Sequence, residues 1–297
     1  SGTANNIRPR QTWGLVGRTL RAPRGRPAMM SLGGSQPVSS LAAAARWGDM
    51  ATVALLLEAG AEVNHAGGGS FPPLIQAADR GHGGVVRMLL AAGADTEGVD
   101  ALGFTALLCA SVNGHEDAVA ALIEGGASTA AVDDARNTPL ICAASRGHQA
   151  VVRKLLQARA ALESATTLGH TALIVAAHAG SVEVVRELIS AGANVEARCL
   201  DGSTALAGAC AEGRADVVAA LLAGGADVHT ADNDGFTPLE TAKEYGQAEV
   251  VRLLLAAGAE DKDRQRGPSF DLAGAEGRDE LITSGGTGFG FFHRLGA

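Results

Sequence analysis

The chain contains few of the residues that dominate most large globular cores. Only 3% of its 297 residues are aromatic, whereas 46% are hydrophobic and 40 residues are glycine. A single large core normally uses many aromatic side chains, because these bury the most area. The high apolar content, with only 19% charged residues, excludes a wholly disordered chain, and the low aromatic content favours small helices packed closely together.

Metal and redox motifs are also lacking. The four cysteines, Cys109, Cys142, Cys199 and Cys210, form no C-x-x-C pair, so their spacing predicts neither a zinc site nor a dithiol centre. We expect them to be small buried side chains in the cytoplasm or another reducing intracellular compartment. No apolar run reaches the roughly 18–20 residues that cross a bilayer, so peripheral membrane association is expected only through partners.

The motifs of common enzyme classes are missing as well. The chain contains no Walker loop, no G-x-S-x-G elbow and no H-E-x-x-H motif. The glycine-rich stretch at residues 285–290 does not complete a dinucleotide-binding fingerprint. We therefore predict a non-enzymatic protein with no catalytic residue, no cofactor and no bound metal.

Acidic residues are absent from the first 38 residues, which carry six arginines. Residues 39–261 carry 13 basic against 27 acidic side chains, a net charge of about −14. Such an acidic body disfavours contact with a phosphate backbone, so no nucleic-acid partner is expected. The basic arm has two interpretations. It resembles an organellar transit peptide, which would place the protein in a plastid or mitochondrion, or it docks on an acidic surface, including that of this chain.

A repeat of 33 residues is the strongest feature that is present. A leucine recurs at this interval as Leu41, Leu74, Leu107, Leu140, Leu173, Leu206 and Leu239. A glycine follows each leucine by seven residues, and an apolar set such as Val85, Val86, Leu89 and Leu90 comes after it. These four share one face of an α-helix, which has 3.6 residues per turn. Each unit therefore predicts a short helix, a glycine turn, a longer helix and an exposed loop.

The repeat resembles the ankyrin repeat over about residues 34–263. The matching segments are Gly-Phe-Thr-Pro-Leu at 235–239, Gly-His at 81–82 and 147–148, Val-Val-Arg-Lys-Leu-Leu at 151–156 and Ala-Gly-Ala-Asn-Val at 191–195. The resemblance implies an all-α, slightly curved solenoid of stacked antiparallel helix pairs, with hairpin loops projecting from one edge.

This resemblance divides the chain into three parts. Residues 1–38 form the basic arm, residues 39–263 form a solenoid of seven repeats, and residues 264–297 form a Gly/Phe-rich tail. We expect both tails to be flexible or extended. The first and last repeats are interpreted as caps, since each must meet water on one side.

Departures from the family pattern predict local differences. The family usually has a histidine directly after the repeat leucine, where it ties neighbouring repeats together. No copy has it here, so we expect apolar contacts in its place. Arg159 stands where a helix-ending glycine is expected and Arg136 where a loop glycine is expected. The Arg159 backbone should carry strain of about 1 kcal/mol, and we expect the fourth repeat to be irregular.

Three histidines, His82, His115 and His148, share one repeat position. Equivalent positions of stacked helices lie on the order of 10 Å apart. A single zinc ion requires bonds of about 2 Å, so the three residues cannot bind it together. We interpret them as turn residues typical of the family.

The aromatic residues of the repeats occupy two positions. Phe71, Phe104 and Phe236 lie three residues before the leucine, on the hairpin rim, and Trp47 and Tyr245 lie six residues after it. In the family both positions face partners, and exposed aromatic and arginine side chains are enriched in binding hot spots. The predicted partner-binding residues are Trp47, Phe71, Arg80, Phe104, Asn113, Asn137, Arg146, His170, Phe236 and Tyr245. Alternatively, the rim phenylalanines pack hairpin against hairpin.

The resemblance implies an interaction scaffold that holds a protein partner through the concave groove and the hairpin rim. The tails would act as tethers through Trp13, Phe289, Phe291 and Phe292. Two alternatives stay open. The chain is a permanent subunit of a large assembly, including a plastid or mitochondrial membrane complex, or it is the targeting or regulatory subunit of an enzyme.

Overall fold

The computed structural model describes residues 40–65 and 71–261 of the chain. The chain divides into two compact units, Ser1–Glu260 and Asp261–Ala297, and the described residues other than Asp261 belong to the first. The predicted tail tethers Trp13, Phe289, Phe291 and Phe292 lie outside the described residues.

Fourteen α-helices of seven to nine residues form within the described residues. They are α1 (Leu41–Trp47), α2 (Met50–Glu58), α3 (Pro73–Asp79), α4 (Gly83–Ala91), α5 (Ala106–Asn113), α6 (Glu116–Glu124), α7 (Pro139–Ser145), α8 (Gln149–Gln157), α9 (Ala172–Ala179), α10 (Val182–Ser190), α11 (Ala205–Ala211), α12 (Ala215–Ala223), α13 (Pro238–Glu244) and α14 (Ala248–Ala256). The same residues contain two isolated β-bridges, Val99–Thr105 and Ala165–Thr171, and no strand. The predicted all-α class is confirmed.

The helices are arranged as pairs. The two helices of a pair are joined by two or three residues and contact each other, which requires an antiparallel arrangement. The first helices of successive pairs stack on one another in chain order, and the second helices do the same. Each pair therefore contacts mainly the pairs before and after it, as in a repeat solenoid.

Local chemistry sets the bounds of each first helix, as α5 illustrates. The helix begins after Thr105, whose hydroxyl accepts a hydrogen bond of 3.3 Å from the Leu108 amide. It ends at Gly114, which adopts the left-handed conformation with φ +76°. Glycine is favoured there because it lacks a β-carbon. We call the glycine at this position of each repeat the turn glycine.

The core is a continuous layer of leucine, valine and alanine between the helices. All seven repeat leucines are buried. The residue that follows the leucine is buried in six pairs, at Ala42, Ile75, Leu108, Ile141, Ile174 and Ala207. Glu240 fills the position in the last pair, where its carboxylate completes a capping box with Thr237. Of these six residues, Ile75, Leu108, Ile141 and Ile174 also belong to the continuous hydrophobic core, so the predicted apolar contacts are present in those four pairs.

Neighbouring pairs approach closely at the turn glycine. A β-carbon added to Gly114 would lie 2.6 Å from Nδ1 of His148 in the next pair. The same approach joins Gly48 to His82 and Gly81 to His115. The His148 ring also reaches back, with Nε2 3.2 Å from the carbonyl oxygen of Val112. The turn histidines thus connect one helix pair to the next, in agreement with their interpretation as turn residues.

This contact predicts a large cost for Gly114→Ala. Left-handed backbone strain costs about 1–2 kcal/mol, and overpacking against the His148 ring adds about 1–3 kcal/mol. Gly126 is the matched control, because its φ is +85° and nothing lies within 4 Å of an added β-carbon. Gly126→Ala should therefore show the backbone strain alone. Urea unfolding measures both losses, and equal losses would contradict the proposed contact.

Two arginines adopt the backbone conformation that favours glycine. Arg136 has φ +62° and Arg159 has φ +60°, and they are the two non-glycine residues with positive φ among those described. Glycines at the equivalent positions, such as Gly103 and Gly192, have the same sign of φ. The left-handed conformation predicted at Arg159 is confirmed, and Arg136 shares it. Both residues belong to the fourth repeat.

Replacing either arginine by glycine should stabilise the protein. Relief of left-handed strain of about 1–2 kcal/mol outweighs the conformational entropy that glycine loses on folding, about 0.5–1 kcal/mol. We expect Arg136→Gly and Arg159→Gly each to raise the free energy of unfolding by about 0.5–1 kcal/mol. Ala150→Gly, on the exposed side of α8, should lower it by about 1 kcal/mol. A loss of stability in both arginine variants would show that their conformation carries no strain.

Candidate protein-binding surface

Seven equivalent residues at the carboxyl ends of the first helices are all exposed. This set, which we call the turn column, consists of Trp47, Arg80, Asn113, Arg146, Ala179, Glu212 and Tyr245. The residues follow one another in chain order because the first helices stack in that order. Trp47 is 73% exposed, the largest value among the exposed large hydrophobic residues described. Five of the predicted partner-binding residues therefore lie in this row, namely Trp47, Arg80, Asn113, Arg146 and Tyr245.

Hydrogen bonds hold the middle of the turn column in place. The Asn113 side-chain amide donates to the Cys109 carbonyl oxygen at 2.9 Å and to Asp79 Oδ1 at 3.2 Å. The other carboxylate oxygen of Asp79 lies 3.7 Å from Arg80 Nε. The exposed polar groups are thereby oriented before any partner arrives, which reduces the entropy lost on binding.

The charge of the column changes sign along the stack. Arg80 and Arg146 supply positive charge in its amino-terminal half. Glu212 supplies negative charge in the other half and lies 3.2 Å from Nε2 of His178. The neighbouring His178 side chain lowers the pKa of Glu212, so this carboxylate stays ionised at neutral pH. A partner that complements the column therefore presents negative charge to Arg80 and Arg146 and positive charge to Glu212. Trp47 and Tyr245 lie at the two ends of the column.

The hairpin rim differs from the prediction at two residues. Asn137 and His170 are 1% and 4% exposed, so their predicted placement on an accessible rim is wrong. The Asn137 side-chain amide donates to Asp133 Oδ2 at 2.8 Å and closes its hairpin from the inside. Burial also lowers the pKa of His170, which favours the neutral ring inside the protein. Neither side chain is available to a partner in this structure.

The rim phenylalanines are partly buried. Phe71 and Phe104 pack against the hydrophobic core and keep part of their surface exposed. Phe236 is half-buried as well. Phe71 and Phe104 therefore pack against the core, whereas the alternative that the rim phenylalanines pack hairpin against hairpin stays a prediction. Substitution of these two residues would change stability as well as any binding surface.

The structure reveals an exposed apolar set on the hairpins that sequence reasoning missed. We call it the hairpin patch, and it consists of Val99 (55% exposed), Leu102 (45%), Val132 (46%) and Leu200 (69%). Its members occupy three different repeat positions, so alignment of the repeats did not group them. The signal that could have found them is aliphatic side chains within turn segments, where polar residues normally predominate.

Backbone contacts make the hairpins a firm support for this patch. The Asp100 carboxylate accepts hydrogen bonds from the Leu102 and Phe104 amides, at 2.8 Å and 3.0 Å. Between hairpins, the Leu200 amide donates to the Leu168 carbonyl oxygen at 3.0 Å. Exposed aliphatic side chains on braced loops form a suitable surface for apolar contact with a partner.

The cysteine side chains are buried and form no part of these exposed surfaces. All four are buried free thiols. Burial raises the pKa of Cys199 and Cys210 to about 12 and also raises the pKa of Cys142. At neutral pH these three side chains are therefore thiols and not nucleophilic thiolates.

A thiol reagent tests this state. In the native protein at pH 8 we expect slow reaction of all four cysteines with an aromatic disulfide, because burial blocks access and the raised pKa values suppress the thiolate. In denaturant, where cysteine titrates near its ordinary pKa of about 8.5, four thiols should react rapidly. Fast stoichiometric labelling of the native protein would contradict the burial.

The described residues contain no group of three or more histidine, cysteine, aspartate or glutamate side chains placed to hold a metal ion. Within the same residues, no helix is both long and apolar enough to span a membrane.

Comparisons with known proteins match the helix pairs. A family model described as ankyrin repeats, in three copies, matches residues 40–133, 128–199 and 195–265. Among solved structures, the crystal structure of the human ASB11 ankyrin repeat domain is similar, with a TM-score of 0.67 and 27% sequence identity. The similarity covers 75% of this chain and 99% of that chain. No curated protein matches the chain significantly.

Proposed function

The chain belongs to the ankyrin repeat family, and from this membership we propose that it is a non-catalytic scaffold that holds a protein partner on the turn column and the hairpin patch. Ankyrin repeats are generally protein–protein interaction modules. The main support is that all seven turn-column residues, one from each helix pair, are exposed and differ in chemistry. The repeat leucines of the same helices are buried. Variation of the residue type in this exposed row can provide specificity for a partner without changing the packing of the helix pairs.

The two surfaces contribute different kinds of contact. The turn column offers aromatic side chains at its ends and charged side chains between them, and its tryptophan, tyrosine and arginines are of the types enriched in binding hot spots. The hairpin patch offers aliphatic side chains, of which Leu200 is the most exposed. We propose that the partner contacts both, so that apolar burial supplies affinity and the charge order of the column supplies specificity.

Two sets of substitutions test this function. The column variant combines Trp47→Ala, Arg80→Ala and Arg146→Ala, and the hairpin variant combines Leu102→Ser and Leu200→Ser. All five residues are exposed, so the fold should be retained. Quantitative affinity capture from the native source, followed by a direct Kd for the main captured protein, should show at least a tenfold loss in each variant, about 1.4 kcal/mol.

A matched control uses arginines of the second helices. Arg87 and Arg186 are exposed on α4 and α10, outside both proposed surfaces. The variant Arg87→Ala with Arg186→Ala should keep the wild-type Kd while removing as many positive charges as the column variant. Equal weakening by the control and the column variant would indicate non-specific charge attraction. Unchanged binding in both surface variants would refute the proposed surfaces.

A further inference from the structure

One position of the second helices faces the preceding helix pair. Lys154 Nζ lies 3.8 Å from Glu116 Oε1 of the pair before it. Glu187, the equivalent residue one repeat later, accepts hydrogen bonds from Arg153 at 3.2 Å and Gln149 at 3.5 Å, again in the preceding pair. The equivalent residues of the other following pairs are buried or half-buried, namely Met88, Ala121, Ala220 and Leu253. The preceding pair therefore covers this position.

In the first pair the same position is Leu55, which is 66% exposed. No helix pair precedes it in the described residues, so its side chain faces off the end of the stack. Two neighbouring positions of this face carry polar residues. Thr52 stands where the next pair has the buried Val85, and Asp49 caps α2 through the Thr52 amide at 3.0 Å.

The first pair is therefore only partly adapted to water. Terminal repeats need a polar outer face, and Asp49 and Thr52 meet that need. Leu55 does not, because it is an aliphatic side chain at a position that is covered in every later pair. The interpretation of the first repeat as a cap thus holds for part of its face and leaves one apolar position open.

We propose that the apolar end of the basic arm, residues 29–38, covers the Leu55 face and caps the stack. The arm leads directly into α1, and its last apolar residues are Met29, Met30, Leu32 and Val38. The segment from Met29 to Ser40 reaches up to about 36–40 Å when extended. That exceeds the length of α2, which is about 14 Å for nine residues. The tether also gives the segment a high effective concentration at this face, on the order of millimolar.

Charge favours the same occupant. The arm carries six arginines and no acidic residue. The first pair and its exit loop carry Asp49, Glu58 and Glu62 against Arg46. Residues 29–38 themselves carry no charge, so the attraction comes from the arginines that precede them, the last of which is Arg26. When the apolar segment covers Leu55, these arginines meet an excess of carboxylates on the first pair.

A double-mutant cycle in the full chain tests the cap. The variants are Leu55→Ser, an arm variant with Met29→Ser, Met30→Ser, Leu32→Ser and Val38→Ser, and their combination. The readout is native-state hydrogen exchange of the Val53 and Leu56 amides in α2. Each variant should lower protection about tenfold, as loss of part of a buried leucine contact predicts. The combination should lower it no further, because both variants remove one shared contact.

Leu200→Ser is the control, since Leu200 is similarly exposed but lies on a hairpin. Alone it should leave α2 protection unchanged, and added to the arm variant it should cause no loss beyond that of the arm variant itself. Independent, additive losses from Leu55→Ser and the arm variant would overturn the proposal, as would full protection in the arm variant. Sedimentation tests a second copy as the occupant. A dimer that Leu55→Ser dissociates would also overturn the arm as the cap.

Discussion

The close approach of neighbouring helix pairs at the turn glycine is the constraint on which the stack depends. A helix of seven to nine residues is too short to be stable alone, so each must be held by its neighbours. The glycine both ends the first helix in the left-handed conformation and leaves room for a side chain of the next pair, as Gly114 does for His148. One residue thus sets the end of a helix and the distance to the next pair.

Regular stacking turns equivalent sequence positions into rows. Rows that face the core hold leucine, valine and alanine with little variation. The turn column faces solvent, so its residues are free of a shared packing requirement and range from tryptophan to glutamate. The protein can therefore carry a specific surface on a uniform core. The hairpins add a second surface, because carboxylates such as Asp100 and backbone bonds between hairpins hold their loops in place.

The rim shows how far a repeat position predicts exposure. Phe104, Asn137 and His170 occupy the same position in successive repeats, yet the phenylalanine is half-exposed while the other two are buried. Asn137 turns inward because its amide bonds to Asp133. Equivalent sequence positions therefore share a backbone location, whereas the direction and depth of a polar side chain depend on the partner it finds within its own loop.

The sequence by itself determined the helix pairs, their period, the turn glycines and the unusual backbone at Arg159. These features depend on local conformational preferences and on contacts that recur every 33 residues, so the repeated residues carry them directly. Only the tertiary structure decided that Val99, Leu102, Val132 and Leu200 are exposed, that Asn137 and His170 are buried, and that Leu55 is uncovered. The physical reason is that exposure depends on which atoms neighbouring loops and pairs bring against a side chain, and a repeat alignment treats every pair as if its neighbours were the same.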